Sequence, residues 1–194
     1  EGKKYGFIAE LAQFYCRRMM TVAPGCARGY VSTGDVKYVH KALVALCRLA
    51  AEYAYLGTMT QHRHRNRVSQ VERFGQGRFD EGPCLGSSGF TTYCIEQPGN
   101  LVEHAEAYDQ IFPAIGKDDQ IIPFLQAKGF DIKTHEDVRR FIEENLFAVW
   151  MQGVMDNACA SNEPAEQRAL AYAATVLNYA RGADFIDWLY DGDG

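Results

Sequence analysis

The chain has 194 residues, a formal net charge of -5 and 47% hydrophobic residues, which is enough for one domain with a substantial core. This composition excludes a mainly disordered chain, and no apolar run reaches the roughly 20 residues needed to span a bilayer. Six cysteines without a C-x-x-C pair are too dilute for a disulfide scaffold and favour reduced thiols. Because the first residue is Glu1 rather than Met, the sequence is compatible with removal of a targeting segment.

Two helices are predicted in the first half. Residues 5–22 carry apolar side chains at spacings of three and four, which is typical of an amphipathic helix, and Pro24-Gly25 is expected to end it. The stretch 32–35 (STGD) supplies capping side chains for a second helix that begins at Val36 and is expected to stop at Gly57.

Two pairs of cysteines share the C-x9-C spacing, Cys16 with Cys26 and Cys84 with Cys94, and this spacing resembles the twin motif of small helical-hairpin proteins of the mitochondrial intermembrane space. That motif needs each pair on one helix. The predicted breaks at Pro24-Gly25 and within residues 86–89 (GSSG) argue against it.

The helical pattern breaks down over residues 74–99. Eight glycines and prolines there rule out a continuous helix, and Phe90 to Ile95 (FTTYCI) is the one predicted strand. An irregular stretch of this length within a compact domain tends to be functional or bound to a partner. We expect an irregular Gly-rich arm here.

Five further helices are predicted in the second half from their capping residues. The first starts within Asn100 to Glu103 and ends at Pro113 or Gly116, and the second starts at Asp118 or Asp119 and ends at Gly129. The third starts at Thr134 and ends between Val154 and Cys159. The fourth starts within Asn162 to Pro164 and ends at Gly182, and the fifth is a terminal turn from Asp184 to near Leu189. The sequence therefore predicts a mainly α protein of about seven helices in stacked antiparallel hairpins, forming a single domain over residues 1–194.

The densest run of basic side chains is QHRHRNR, residues 61–67. His62 and His64 are two residues apart, so they do not share a helix face, and no third metal ligand follows at a recognised spacing. Residues 61–78 hold five arginines against Glu72 alone, a balance of +4. Arginine binds phosphate or carboxylate in the same forked geometry, so the run indicates an anion-binding surface without choosing between nucleic acid and protein.

No catalytic template matches. Cys84 and Cys94 flank a Gly-rich stretch without a visible base, and residues 86–89 lack the G-x-S-x-G elbow. We therefore expect no cofactor, no metal and no catalytic residue, while a small enzyme with an unrecognised site stays open. Arginines and aromatics are enriched at interfaces, with ordinary core packing as the alternative for each aromatic. The candidate partner-binding residues are Arg63, Arg65, Arg67, Arg73, Phe74, Arg78, Phe79, Phe90, Phe185, Trp188 and Tyr190.

The segment from Leu101 to Thr134, LVEHAEAYDQIFPAIGKDDQIIPFLQAKGFDIKT, resembles one helical hairpin of the pentatricopeptide type, and Thr134 to Gly182 resembles a second, longer hairpin. The resemblance covers under half the chain. Most such proteins bind organellar RNA, whereas some relatives are fixed subunits of mitochondrial machines, such as the additional helical subunit on the catalytic head of the ATP synthase in euglenozoan protists.

The distribution of charge along the chain bears on the choice between RNA binding and a role as a protein subunit. Residues 1–95 carry 13 Lys and Arg against 7 Asp and Glu, whereas residues 96–194 carry 7 against 18. An acidic hairpin region disfavours RNA, because phosphate affinity comes largely from basic side chains. The charge therefore favours a non-catalytic accessory subunit that binds protein subunits of a larger complex and meets a membrane only through that complex. The resemblance implies that this complex is mitochondrial, an ATP synthase or a respiratory complex. An organellar RNA-binding helical-repeat protein is the alternative.

Overall fold

A computed structural model describes residues 7–53, 97–155, 165–177 and 182–191, and these ranges are mainly helical. They confirm the predicted mainly α class with seven helices, and no strand occurs among them. The helices are α1 (Phe7–Thr33), α2 (Val36–Tyr53), α3 (Gln97–Ile111), α4 (Ile121–Ala127), α5 (135–155), α6 (Ala165–Val176) and α7 (Gly182–Asp191). The predicted strand at 90–95 and most of the Gly-rich arm lie outside the described residues.

The first helix corrects the sequence prediction, because α1 passes through Pro24 and ends at Thr33. A proline inside a helix removes one backbone hydrogen bond and is normally costly. Here Met20, Ala23, Pro24 and Ala27 are all buried and recur at spacings of three and four, so they form one packed face. Tertiary burial of this face offsets the local cost. Cys16 and Cys26 consequently share one helix, and the predicted break that argued against the C-x9-C motif is wrong for this pair.

The start of α2 forms as the sequence predicts, although the connection from α1 is shorter than predicted because α1 continues to Thr33. Gly34 adopts a φ of 70°, which a residue with a side chain rarely adopts, and the chain reverses there. Asp35 Oδ1 accepts a hydrogen bond of 2.9 Å from the Lys37 N–H, which caps the start of α2. The tight connection makes α1 and α2 an antiparallel hairpin, the most extensively packed pair of helices in the described residues.

Helix α3 begins earlier than predicted, at Gln97 rather than near Asn100, so residues 97–99 belong to a helix and not to the irregular arm. Pro98 lies in the first turn, where its missing N–H has no intrahelical partner to lose. The helix ends at Ile111 and continues as a 3-10 helix, Phe112–Lys117, which contains both predicted stops, Pro113 and Gly116. Phe112 precedes Pro113, and the residue before a proline disfavours α geometry, which explains why the α-helix changes to a 3-10 helix at Phe112.

Capping also positions α4 and α5. Gly129, at a φ of 90°, follows α4 as predicted. Thr134 forms a reciprocal capping box with Asp137, which confirms the predicted start of α5. Within α5, residues Glu143–Phe147 form a π-helical turn, in which the Ala148 N–H donates to the Glu143 carbonyl oxygen. The sequence pattern predicts one regular α-helix from Thr134 onward, without this π-helical turn.

Helix α6 is shorter than predicted, whereas α7 is longer, because it spans Gly182–Asp191 rather than a terminal turn from Asp184 to about Leu189. α6 ends at Val176 and not at Gly182, which is instead the first residue of α7. A Cβ at Gly182 would lie 3.1 Å from the Ala174 carbonyl oxygen, so a glycine lets α7 approach α6 closely.

The helices pack around one continuous hydrophobic core, with Tyr53, Tyr108, Phe147, Trp150 and Phe185 among its largest side chains. The order of packing departs from the order in sequence, because α3 packs most extensively on α1 and α6 rather than on α4, which follows it. α4 packs instead against α2. This placement of α4 beside the α1–α2 hairpin creates the surface described next.

Candidate functional site

A groove with an apolar floor runs between the α1–α2 hairpin and α4. It consists of two overlapping cavities of about 500 Å³ and about 440 Å³, which share Met19, Val44, Arg48 and Phe124. We call this surface the docking groove. Its floor is formed mainly by Met19, Val22, Val44, Ala45, Phe124 and Phe130. Val22 is one of the few large apolar side chains that stay exposed among the described residues, at 40%.

Charged side chains form the rim of the docking groove. Lys41 and Lys128 are exposed, and the Lys128 ammonium lies 5.7 Å from the centre of the Phe124 ring. Arg48 forms an ion pair with Glu52, one turn further along α2. The described lining therefore contains three cations and one carboxylate, which gives the groove a positive rim around an apolar floor.

A histidine anchored by a buried carboxylate stands at one end of the groove. His40 Nδ1 lies 2.9 Å from Asp118 Oδ2, and Asp118 is only 3% exposed. The His40 ring also packs edge-on against Phe124, at a centroid distance of 5.8 Å. The contact with Asp118 fixes the ring orientation, in the way that a second group commonly positions a functional histidine.

Two further contacts hold Asp118 in place. Its other carboxylate oxygen, Oδ1, accepts from the Gln120 N–H at 3.1 Å, and its backbone carbonyl oxygen lies 3.0 Å from His135 Nε2. Three separate parts of the chain therefore meet here: α2, the start of α4 and the start of α5. Asp118 is predicted from the sequence only as a capping residue and His40 is not predicted at all, since no local pattern indicates a pair 78 residues apart.

A second polar cluster lies in the interface between α3 and α5. The Tyr108 hydroxyl donates a 2.6 Å hydrogen bond to Glu143 Oε1, and both side chains are buried. Burial, followed by the Glu143 hydrogen bond, raises the pKa of Tyr108, and burial also raises the pKa of Glu143. The nearby Arg139 guanidinium stacks over Phe112 at 4.3 Å. These groups hold the 3-10 helix against α5.

Three more titratable groups are buried. Glu166 is 4% exposed, and burial raises its pKa to about 8. His104 is 1% exposed, and burial lowers its pKa to about 4. Cys47 lies beneath the docking groove at 1% exposure, and burial raises its pKa to about 12, which makes it an unreactive thiol.

The structure places only three of the predicted partner-binding residues. Phe185 is fully buried in the core, which is the alternative that the sequence analysis weighs for each aromatic. Trp188 is half-buried and packs against the core, whereas Tyr190 is 84% exposed on α7. The other candidates lie outside the described residues: Arg63, Arg65, Arg67, Arg73, Phe74, Arg78, Phe79 and Phe90.

In the described ranges, no cluster of three or more His, Cys, Asp or Glu side chains is arranged to hold a metal ion. Within the same ranges, every helix is too short or too polar to cross a membrane. Comparison of the chain with models of protein families, with curated proteins and with solved structures gave no match in any of the three.

Proposed function

We propose that the chain is a non-catalytic accessory subunit that docks onto a larger protein assembly by holding a helical segment of a neighbouring subunit in the docking groove. The observation that supports this best is the combination of an open apolar floor with a charged rim. Interfaces typically combine an apolar centre with a polar edge. An amphipathic helix laid in a hydrophobic groove is a recurring mode of protein recognition.

The identity of the assembly is the finer part of the proposal. The resemblance of Leu101 to Thr134 to pentatricopeptide-type hairpins favours a mitochondrial machine, an ATP synthase or a respiratory complex, because some relatives in that class are fixed subunits of such machines. The acidic balance of residues 96–194 favours a protein partner over RNA.

The anchored histidine supports a second candidate, a small enzyme. A histidine held by a carboxylate is the arrangement of a general base. A nucleophilic side chain for His40 to activate is not evident in the described lining of the groove: Cys47, the thiol in that lining, is buried with a pKa of about 12. Docking therefore accounts for more of the groove than catalysis does.

Gentle purification of the chain from its native source, followed by native mass spectrometry and lysine-directed cross-linking, tests the proposal. We expect stoichiometric recovery in a large complex, with cross-links from Lys41 and Lys128 at the rim to another subunit. Lys117 and Lys133 are exposed lysines outside the groove lining and serve as matched controls that should cross-link less to that subunit. Recovery as a free monomer, or as a ribonucleoprotein, would contradict the proposal.

A further inference from the structure

The docking groove has the length of a short helix. Its lining on α2 runs from His40 to Glu52, twelve residue steps along one helix face. At about 1.5 Å per residue, this face is about 18 Å long and matches roughly three turns of an occupying helix. The apolar floor takes Met19 and Val22 from α1, and it takes Phe124 and Phe130 from α4 and the segment after it. An occupant with one apolar stripe would therefore meet apolar side chains from both parts of the chain.

The charges on the rim restrict the occupant further. Lys41, Arg48 and Lys128 outnumber the carboxylate of Glu52, which already pairs with Arg48. Lys41 and Lys128 are both exposed, and neither forms an ion pair with a carboxylate of the described residues. Long cationic side chains that cover apolar surface and end in a free charge favour acidic partners.

The positive rim disfavours the arginine-rich residues 61–78 of this chain as the occupant of the docking groove. Residues 61–78 carry a balance of +4 and would place arginines against Lys41, Arg48 and Lys128. Like charges held close together oppose binding, whereas opposite charges favour it. A partner with carboxylates beside its apolar stripe avoids this repulsion.

We infer that the occupant of the docking groove is an amphipathic helix of a partner protein, with an apolar stripe flanked by Asp or Glu residues. This inference rests on the proposed docking function and specifies the chemistry of the partner segment. Its apolar stripe lies on Met19, Val44 and Phe124, and its flanking carboxylates pair with Lys41 and Lys128.

Three synthetic peptides test this directly. Each is about 16 residues long and carries the same stripe of Leu and Phe at helical spacing, with flanking positions occupied by Glu, Gln or Lys. Fluorescence anisotropy with the full chain measures their affinities. We expect the Glu peptide to bind about ten-fold more tightly than the Gln peptide, and the Lys peptide to bind most weakly, because the ion pairs with Lys41 and Lys128 act together. The preference should shrink as salt concentration rises.

Matched variants locate the binding site. The double substitution Lys41→Glu with Lys128→Glu should reverse the order of the three peptides, whereas Lys117→Glu with Lys133→Glu, which changes the net charge equally outside the groove, should leave it unchanged. Val22→Asp should weaken all three peptides at least about ten-fold, because it places a charge on the apolar floor. Val31→Asp is the control, since Val31 is 63% exposed and lies outside the groove lining.

The outcomes separate this inference from the proposed function. Equal binding of all three peptides, lost in Val22→Asp, would overturn the acidic partner and leave the groove as a docking surface. Absence of binding by every peptide would overturn the inference, and if the chain were also recovered as a free monomer, the proposed function would fall with it. Cross-links from Lys41 or Lys128 to residues 54–96, or to a second copy of the chain, would replace the inferred partner by that occupant.

Discussion

Tyr108 and Glu143 are joined by a 2.6 Å hydrogen bond, in which the tyrosine hydroxyl on α3 donates to the carboxylate on the π-helical turn of α5. The two residues are 35 positions apart in sequence and almost completely buried. A carboxylate removed from water needs such a donor, because an unpaired buried polar group is costly. The pair therefore links the position of α3 to the irregular turn of α5.

Removal of this donor should destabilise the fold. Tyr108→Phe leaves the buried Glu143 carboxylate without its hydroxyl partner, and we expect the free energy of unfolding to drop by about 1–3 kcal/mol. Urea denaturation followed by circular dichroism measures the change. In a Glu143→Met background the same substitution should have a much smaller effect, because no carboxylate then needs the donor. Equal effects in the two backgrounds would show that the hydrogen bond does not couple these residues.

The buried carboxyl of Glu166 should make the protein less stable as the pH rises. Burial raises its pKa from an ordinary value of 4.5 to about 8, and neither carboxylate oxygen has a hydrogen-bond partner among the residues that the structure describes. Between these two values the folded state keeps a proton that the unfolded state releases, so the free energy of unfolding falls with rising pH. Glu166→Gln should remove this dependence.

The size of the Glu166 effect follows from its pKa. One pKa unit corresponds to about 1.4 kcal/mol, so at pH 8 we expect Glu166→Gln to raise the free energy of unfolding by on the order of a few kcal/mol. At pH 4 the substitution should change it little. Urea denaturation across this pH range makes the measurement, with Glu103→Gln as a control at an exposed glutamate on α3. A difference between Glu166→Gln and wild type that is independent of pH would contradict the prediction.

His104 should have the opposite effect, at lower pH. Burial lowers its pKa from 6.5 to about 4, although a hydrogen bond with the Asn100 carbonyl oxygen, at 2.7 Å, opposes the shift. As the pH falls through this window the unfolded state takes up a proton that the folded state does not, so stability is lost toward acid. The loss should reach about 3 kcal/mol by pH 4.

His104→Phe isolates this contribution while it keeps an aromatic ring near Trp150. We expect the stability of the variant relative to wild type to improve progressively between pH 6.5 and pH 4. In wild type, the His104 and Glu166 contributions partly cancel from pH 4.5 to 6.5, which leaves a net decline between pH 6.5 and 8. A constant offset between variant and wild type at every pH would show that His104 is protonated alike in both states.

Local signals in the sequence identify several helix boundaries correctly. Asp35, Thr134 and Gly129 act within a few residues of themselves through capping bonds or a positive φ, so their roles follow from local chemistry. Pro24 is predicted wrongly because its outcome depends on burial against other helices, which the local sequence does not encode. The predicted start of α3, near Asn100, is likewise too late, because it depends on one capping pattern, whereas the helix begins at Gln97.

The docking groove could not be predicted from sequence for a related reason. Its walls come from α1, α2 and α4, and each contributes apolar residues that a linear pattern assigns to the core. His40 and Asp118 meet only because the 3-10 helix directs the chain toward α2. The arginine-rich run at 61–67, the strongest local signal of a binding surface, lies outside the described residues and stays a prediction.

Two glycines on α1 provide a matched test of how closely α1 packs on α2. A Cβ at Gly25 would meet nothing within 4 Å, whereas a Cβ at Gly29 would lie 2.9 Å from Tyr38 Cδ1. Gly25→Ala should therefore stabilise the helix by about 0.5–1 kcal/mol through reduced backbone entropy in the unfolded chain. Gly29→Ala should lose this gain and destabilise the protein by about 1 kcal/mol or more, because Tyr38 must move.

The Tyr38 contact can be removed to check the cause. In a Tyr38→Ala background, Gly29→Ala should become as favourable as Gly25→Ala, because the added methyl group no longer meets the ring. Thermal or urea unfolding of the single and double variants measures these differences. If Gly25→Ala and Gly29→Ala had equal effects in the presence of Tyr38, the close approach of the two helices at this position would be disproved.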